Sequence, residues 1–314
     1  MTSPTDRRVL LARLEKAAHV PPLEATDSDS TLLDKLLYPH LVECHLQAAR
    51  PWPEDTVDLV HDVRVASRRL VEALALAAPM LDKRRVKKAQ AFAKGLRQAL
   101  GAGREADVMR ADLERLLETV GLERPAVEAH TIAGEDPLER VKAAYPPELL
   151  LRRGVDVMRM AAAPKVTDVT TGRIAGPHLL ARAAATEPLI DSVLDPDRLD
   201  DQHRLRIRFK RLRYTVEMIG PAFGDVIDKK ATVKTLKALQ DALGDLNDMK
   251  DLLEWLRSRA ARDELGAARA AVLEAARVEL DRRQAHAQEL VLTAAPPLVR
   301  DLDRAAGVIG PLAF

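Results

Sequence analysis

Two short runs in this 314-residue chain set histidine, arginine and lysine at helical spacing. The first holds His61, Arg64, Arg68 and Arg69. The second holds His203, Arg206, Lys210, Arg211 and Arg213. A helical residue turns about 100° from its predecessor, so with His61 at zero, Arg64 falls near −60° and Arg68 near −20°. All three share one face, while Val63, Ala66, Leu70, Leu74 and Ala77 gather opposite. The second run divides in the same way, with His203, Arg206, Lys210 and Arg213 against Leu205, Leu212, Val216 and Ile219. Each helix therefore buries one side and carries a basic stripe on the other. The next helix in each case adds a further stripe, formed by Lys87, Lys94 and Arg97 and by Lys230, Lys234 and Lys237.

Like charges at i, i+3 and i+4 cost roughly a few tenths of a kcal/mol per pair. An anionic ligand would relieve that repulsion. Phosphate suits best, because arginine offers bidentate donors and lysine a mobile point charge. Arg64, Arg68, Arg69, Arg206, Lys210 and Arg211 are the expected primary contacts, and Lys87, Lys94, Lys230, Lys234 and Lys237 would extend the track. Arg69 and Arg211 point about 80° off the histidine direction, which also suits pairing with acids of a neighbouring helix. Arg104 serves either as a phosphate contact or as a helix cap. His61 and His203 are expected donors at the groove's centre, the alternative being packed side chains on a charged helix. Arginine neighbours oppose their protonation and bound phosphate favours it, so binding should tighten as pH falls toward about 6.

Composition limits the elements that position these residues. Hydrophobic residues make up 47% of the chain, aromatics only 3%, and charged residues 31%. That mixture favours packed amphipathic helices over sheets. Formal net charge is +1, but its distribution is uneven. Residues 61–97 hold ten Lys or Arg against three acids, and so do residues 203–237, which leaves −13 for the rest of the chain. The single cysteine, Cys44, excludes an internal disulfide and reads as a packed helix residue. No apolar run approaches the ~18 residues of a membrane span. The N-terminus reads as a short amphipathic helix rather than a secretory signal, so a cytoplasmic location is expected.

Helices are predicted over about 32–49, 56–78, 84–100, 104–121 and 138–160, the last with a break at Pro146 and Pro147. After them come helices at 178–194, 196–220, 227–243, from 246, and 263–292. No segment alternates at period two, so the chain reads as all-α. Its expected divisions are an N-terminal extension (1–30), a first helical half (31–160), a linker (161–177) and a second half (178–314). The halves repeat. At an offset of 142, His61 matches His203, Arg64 matches Arg206, Arg68 matches Lys210, and Pro79 matches Pro221. After one inserted residue, Lys87 matches Lys230, Lys94 matches Lys237, and Ala99-Leu100-Gly101 matches Ala242-Leu243-Gly244. Duplication of one helical unit explains this pattern.

His-x-x-Arg-Val-x-x-Arg-Arg-Leu from His61, and His-x-x-Arg-Ile-x-x-Lys-Arg-Leu-Arg-Tyr from His203, resemble the paired signatures of the CHAD domain, the conserved-histidine α-helical domain. LKALQDALGDLND from Leu236 and LRQALGAGREADV from Leu96 resemble its second-half and first-half patterns, with Glu105 where the family usually has Asp. The resemblance spans roughly residues 30–300. It implies two antiparallel four-helix bundles related by a pseudo-twofold axis, with a basic groove or pore between them. It also implies binding of inorganic polyphosphate, association with polyphosphate granules and their other proteins, and no cofactor. The chain is expected to be a stand-alone member, without the triphosphate-tunnel domain that often accompanies this one.

Two other classes compete. A polyphosphate- or phosphate-ester-processing enzyme needs a paired-carboxylate metal site or a Gly-rich phosphate loop, and neither stands beside the stripes. Asp245, Asp248 and Asp251 are spaced to bind a cation, or else to neutralise nearby Lys and Arg. A nucleic-acid binder would be expected to interleave exposed aromatics, whereas Phe209 and Tyr214 look like packing residues. An assembly scaffold using the C-terminal helix is a further alternative.

Overall fold

A computed structural model of the chain describes residues 8–9, 11–12, 14–15, 20–49, 57–100, 102–122, 137–195, 197–258, 261 and 265–309. The fold is all-α, and the only β pairing among these residues is one isolated bridge, Ser28 to Thr170. The helices are α1 (Asp29–Leu41, continued by a π turn, Val42–Leu46, and by Gln47–Ala49), α2 (Val57–Ala77), α3 (Lys83–Ala99), α4 (Ala102–Thr119), α5 (Pro137–Ala144) and α6 (Pro147–Ala161). The second half follows with α7 (Thr171–Ala184), a 3-10 segment (Glu187–Leu194), α8 (Leu199–Ile219), α9 (Lys229–Arg257) and α10 (Arg269–Ile309). Among the described residues, no helix is long and apolar enough to cross a membrane. The N-terminal helix expected before residue 20 lies mostly outside them.

The two signature helices have equal lengths and equal offsets. Val57 and Leu199 open them, Ala77 and Ile219 close them, and both spans are 21 residues. Each is followed by a helix that begins on an aspartate cap. Asp82 accepts from the backbone N–H groups of Arg84 and Arg85 at 2.9 Å each, and Asp228 accepts from that of Ala231 at 3.0 Å. Such caps satisfy first-turn donors that have no intrahelical partner.

The expected breaks fail at three places, each for a packing reason. α9 runs unbroken through Gly244 to Arg257 instead of stopping at Leu243. A Cβ on Gly244 would stand 3.0 Å from Arg206 Nη2 and 3.2 Å from its Nε. The missing side chain lets the guanidinium lie against the helix, and buried Leu243, Leu246 and Met249 hold the backbone across it. α10 continues past Leu292 through Pro296 and Pro297, because buried Val291, Ala295, Val299 and Leu302 extend the packed face beyond the prolines. α7 starts at Thr171, inside the stretch expected as linker, and contains Pro177. Thr171 is pinned there by its hydroxyl, which donates to the Glu24 and Asp27 carbonyls at 2.8 and 3.1 Å.

One continuous apolar core takes residues from α1, α2 and α3 together with α7, α8, α9 and α10, so the halves share an interior. A second, smaller core joins Leu113, Leu116 and Leu117 of α4 to Leu252, Leu253 and Leu256 of α9 and to Val272 and Ala276 of α10. The α4 helix of the first half thus packs on the second half. A buried ion pair fastens it: Asp112 Oδ1 and Oδ2 accept from Arg283 Nη2 and Nη1 at 2.9 and 3.2 Å. Arg283 Nη1 also donates to the Asp245 carbonyl at 2.8 Å. The periodicity of α4 identifies its apolar face but not the helices that cover it.

Candidate functional site

α2 and α8, the two signature helices, pack against each other. A carboxylate lies in their shared interior. Glu72 of α2 is buried, and its Oε1 lies 2.9 Å from His178 Nε2 of α7. The same oxygen accepts from Arg182 Nε of α7 at 2.6 Å and from the Thr215 hydroxyl of α8 at 3.3 Å. Burial works to raise this carboxyl, but His178 and Arg182 outweigh it and hold Glu72 below the ordinary glutamate value. It is therefore charged at neutral pH and ties three helices together.

Above it the cations crowd. Burial, followed by the charges of Arg68, Arg206, Arg213 and Arg97, pushes Lys210 down to about 7. Arg97 is lowered by burial and by Arg68 and Arg211, with Tyr214 opposing. Arg211 is lowered by burial, Arg182 and Arg208, with Glu72 opposing. The structure therefore brings Arg68 and Arg97 of the first half together with Arg206, Lys210, Arg211 and Arg213 of the second. Here the two repeated stripes meet.

The predicted contacts are not equivalent. Arg69 pairs with acids: its Nη1 stands 3.3 Å from Glu43 Oε1 and its Nε 3.5 Å from Glu217 Oε2. Its divergent direction on the helix thus corresponds to pairing. Arg213 Nε lies 3.7 Å from the other oxygen of Glu217. Arg64 is buried and donates from Nη1 to the Arg97 carbonyl at 3.3 Å, bracing α2 against α3. Arg206 lies close enough to Asp248 to lower that carboxyl, although burial raises it overall. Arg68, Arg97 and Lys210 have no acidic partner among the described residues, and they form the uncompensated centre.

Lys87, Lys94, Lys230, Lys234 and Lys237 are all exposed. The Arg104 side chain lies outside the described residues. His61 and His203 are exposed, and each stands seven residues before its half's central cation, Arg68 or Lys210. That is about two helical turns, or roughly 10 Å along the axis. The histidines therefore flank the cationic centre rather than occupy it. Cys44 is fully buried, and burial pushes its thiol up to about 12.

Sequence reasoning did not find Glu72, His178 and Arg182. The signal for Glu72 was present as one acid inside the apolar run Val71–Ala78. Its partners sit more than 100 positions away, where spacing gives no guide. No group of three or more His, Cys, Asp or Glu is placed to hold a metal among the described residues. Asp245 and Asp248 face Arg283 and Arg206, and Asp251 accepts from Asn247 Nδ2 at 2.9 Å.

An all-helical chain whose two repeated signature helices bring their cations to a shared seam defines a class of duplicated helical domains with a basic seam. Residues 40–257 match the CHAD domain, and the chain belongs to that family. Among solved structures, the crystal structure of the CHAD domain from the plant Ricinus communis aligns over 92% of this chain and 95% of that one, with a TM-score of 0.61 and 23% identity. PptA from Streptomyces chartreusis aligns over 90% of this chain and 100% of that one, with a TM-score of 0.55 and 19% identity. At these identities the likeness is one of fold. No curated protein matches the chain.

Proposed function

We propose that this chain binds inorganic polyphosphate along the seam between α2, α3, α8 and α9, holds the polymer without cleaving it, and associates with polyphosphate granules. The supporting observation is the uncompensated centre. Arg68, Arg97 and Lys210 are drawn from both halves, and burial, followed by the charges of Arg68, Arg206, Arg213 and Arg97, pushes the lysine down to about 7. A cation held that far below its usual value favours an anionic ligand, because the ligand restores the proton and offsets the repulsion. A polymer fits better than a single phosphate, since exposed lysines of α3 and α9 continue the positive charge beyond the centre. Arg64, Arg69 and Arg213 act as positioning residues that set the stripe on its helices.

Titration with long-chain polyphosphate across a salt series tests this. Removing a cation that neutralises a phosphate should weaken binding and flatten the salt slope by about 1 for each such cation, as for other polyanions. Arg68→Ala with Lys210→Ala should produce that change, and Arg69→Ala should change the slope little. Duplex DNA at equal phosphate concentration should compete poorly, and polyphosphate length should not change in magnesium. If DNA wins, or if the double variant binds like wild type, the reading fails.

A further inference from the structure

A second cationic site stands apart from the seam. A cavity of about 340 Å³ opens between α3 and α6, lined by Arg85, Lys88, Arg153 and Arg159, with Phe92 and His45 among its walls. Measured around α3, Arg85, Lys88 and Phe92 lie about 160° from the face that carries Lys87, Lys94 and Arg97. The cavity thus uses the other side of the same helix. Its α3 lining also has no sequence counterpart in the second half. At the offset of 143 that relates α3 to α9, Arg85, Lys88 and Phe92 correspond to Asp228, Ala231 and Thr235. A groove built by duplication does not account for basic and aromatic residues that occur in one copy only.

The charges here are largely uncompensated. Among the described residues Asp156 is the one acid lining the cavity, and its Oδ2 lies 3.5 Å from Arg153 Nη1. Arg85, Lys88 and Arg159 are exposed and have no ion pair with any described residue. Arg153 Nε is buried without a hydrogen-bond partner, so the site holds a donor that lacks an acceptor.

The remaining wall is apolar and ordered. The Phe92 ring is stacked on His45, with centroids 5.7 Å apart and planes 15° apart, and meets Tyr145 edge-on at 5.5 Å. The Arg153 guanidinium sits 5.8 Å from the Phe92 centroid. Burial pushes His45 down to about 4, only partly offset by the Leu41 carbonyl, so its ring is neutral, and its Nδ1 makes no well-formed hydrogen bond. Gly154 allows this closeness, since a Cβ there would stand 3.2 Å from Leu14 and 3.4 Å from His45. Ala89, Val157 and Met160 complete the apolar side. A bare phosphate would leave that surface wet. Small-molecule sites run from about 300 to 1,000 Å³, and this cavity falls at the small end, suited to one compact ligand.

We propose that the α3–α6 cavity binds a phosphate monoester or diphosphate with a flat, largely apolar body, with nucleotides as the representative class. Arg85, Lys88 and Arg159 take the phosphate, Arg153 Nε donates to it, and the body lies along the Phe92, Val157 and Met160 wall.

Calorimetric titration of the full chain with AMP, ADP, adenosine and inorganic phosphate tests the assignment. AMP or ADP should bind saturably, and adenosine and phosphate each at least about tenfold weaker, because each carries half of the recognised chemistry. Arg85→Ala with Lys88→Ala, both exposed, should reduce nucleotide binding at least about tenfold with an unchanged melting temperature. The same variant should keep its polyphosphate affinity near wild type, while Lys94→Ala with Lys237→Ala should leave nucleotide binding intact. The proposal is overturned by absence of nucleotide binding, by phosphate binding as tightly as ADP, or by a deficit that follows Lys94 and Lys237. It stands or falls separately from the polyphosphate reading, because the two use different residues and different probes.

Discussion

Replacing Lys210 with methionine should strengthen the fold and weaken the ligand site together. The ammonium is pushed from 10.5 to about 7 by burial and by Arg68, Arg206, Arg213 and Arg97. Between those two values the unfolded chain holds the proton and the native chain does not, so native stability rises with pH across that window. At pH 7 the native state therefore carries most of the penalty. At about 1.36 kcal/mol per pKa unit the ceiling is roughly 5 kcal/mol, and screening at this partly open site brings the realised gain to about 2 kcal/mol. Methionine keeps the stem's packing without the charge. The variant should melt roughly 4 °C higher at pH 7. The advantage should shrink as pH approaches 10.5, where both states of the wild type lose the proton. Polyphosphate affinity should fall about tenfold, in line with removal of one charge-assisted hydrogen bond. Calorimetry in buffers of different ionisation enthalpy should find the wild type taking up roughly half a proton more than the variant on binding at pH 7. An unchanged melting temperature at pH 7 together with unchanged proton uptake would refute the crowding argument. Equal reductions of stability and affinity would instead assign Lys210 an ordinary packing role.

Other substitutions probe the frame beneath the seam. Glu72→Gln removes the charge shared by His178, Arg182 and Thr215 and should cost about 3 kcal/mol at pH 7, measured by urea unfolding. The Glu72 carboxyl is held below its unfolded value of 4.5, so its contribution is present above that pH, and the deficit of the variant should shrink as pH falls below it. Arg283→Met leaves the buried Asp112 carboxylate to its ion pair with Arg115 and should cost about 2 kcal/mol, with amide exchange rising first in α4 and in the start of α10. Gly244→Ala should leave stability within roughly 1 kcal/mol of wild type. Its gain in helix propensity offsets the displaced Arg206 guanidinium, whose movement is readable as a changed chemical shift at Arg206 Nε.

How much of this was legible follows from the range of each signal. The equivalence of α2 and α8 was readable because duplication prints the same stripe twice, and a stripe is a local feature of one helix. The same comparison marked Arg68 and Lys210 as equivalent positions, but not that they come together. Which cations are already compensated was not readable. Arg69 loses its freedom to Glu43, from a different helix, and to Glu217, from the other half. An angle of about 80° raised the option of pairing but named no acid. Helix ends were misread wherever tertiary packing overrode a local breaker, as at Gly244, at Pro296 and Pro297, and at Pro177. The crossing of α4 was hidden for the complementary reason, since an apolar face states a need for cover and not its source.

Pairing also sharpens which cations the seam would offer to the proposed polyanion. Glu217 occupies Arg69 and Arg213, Glu72 occupies Arg182 and faces Arg211, and Asp248 faces Arg206. Each acid lies beside or beneath the cation it engages and has its own partner in the fold. The cations left over, Arg68, Arg97 and Lys210, are therefore uncompensated through placement rather than through a general excess of charge, which for the whole chain is only +1. Stripping any of these acids would add positive charge to the surface, yet it would also release an arginine from the position that shapes the seam. Affinity should then rise less than the added charge implies at low salt, and fall below wild type at high salt, where only well-placed contacts survive screening. A Glu217→Gln variant titrated with polyphosphate at two salt concentrations separates placed charge from total charge. If its affinity exceeds wild type at both, net charge governs the site and the ion pairs are incidental.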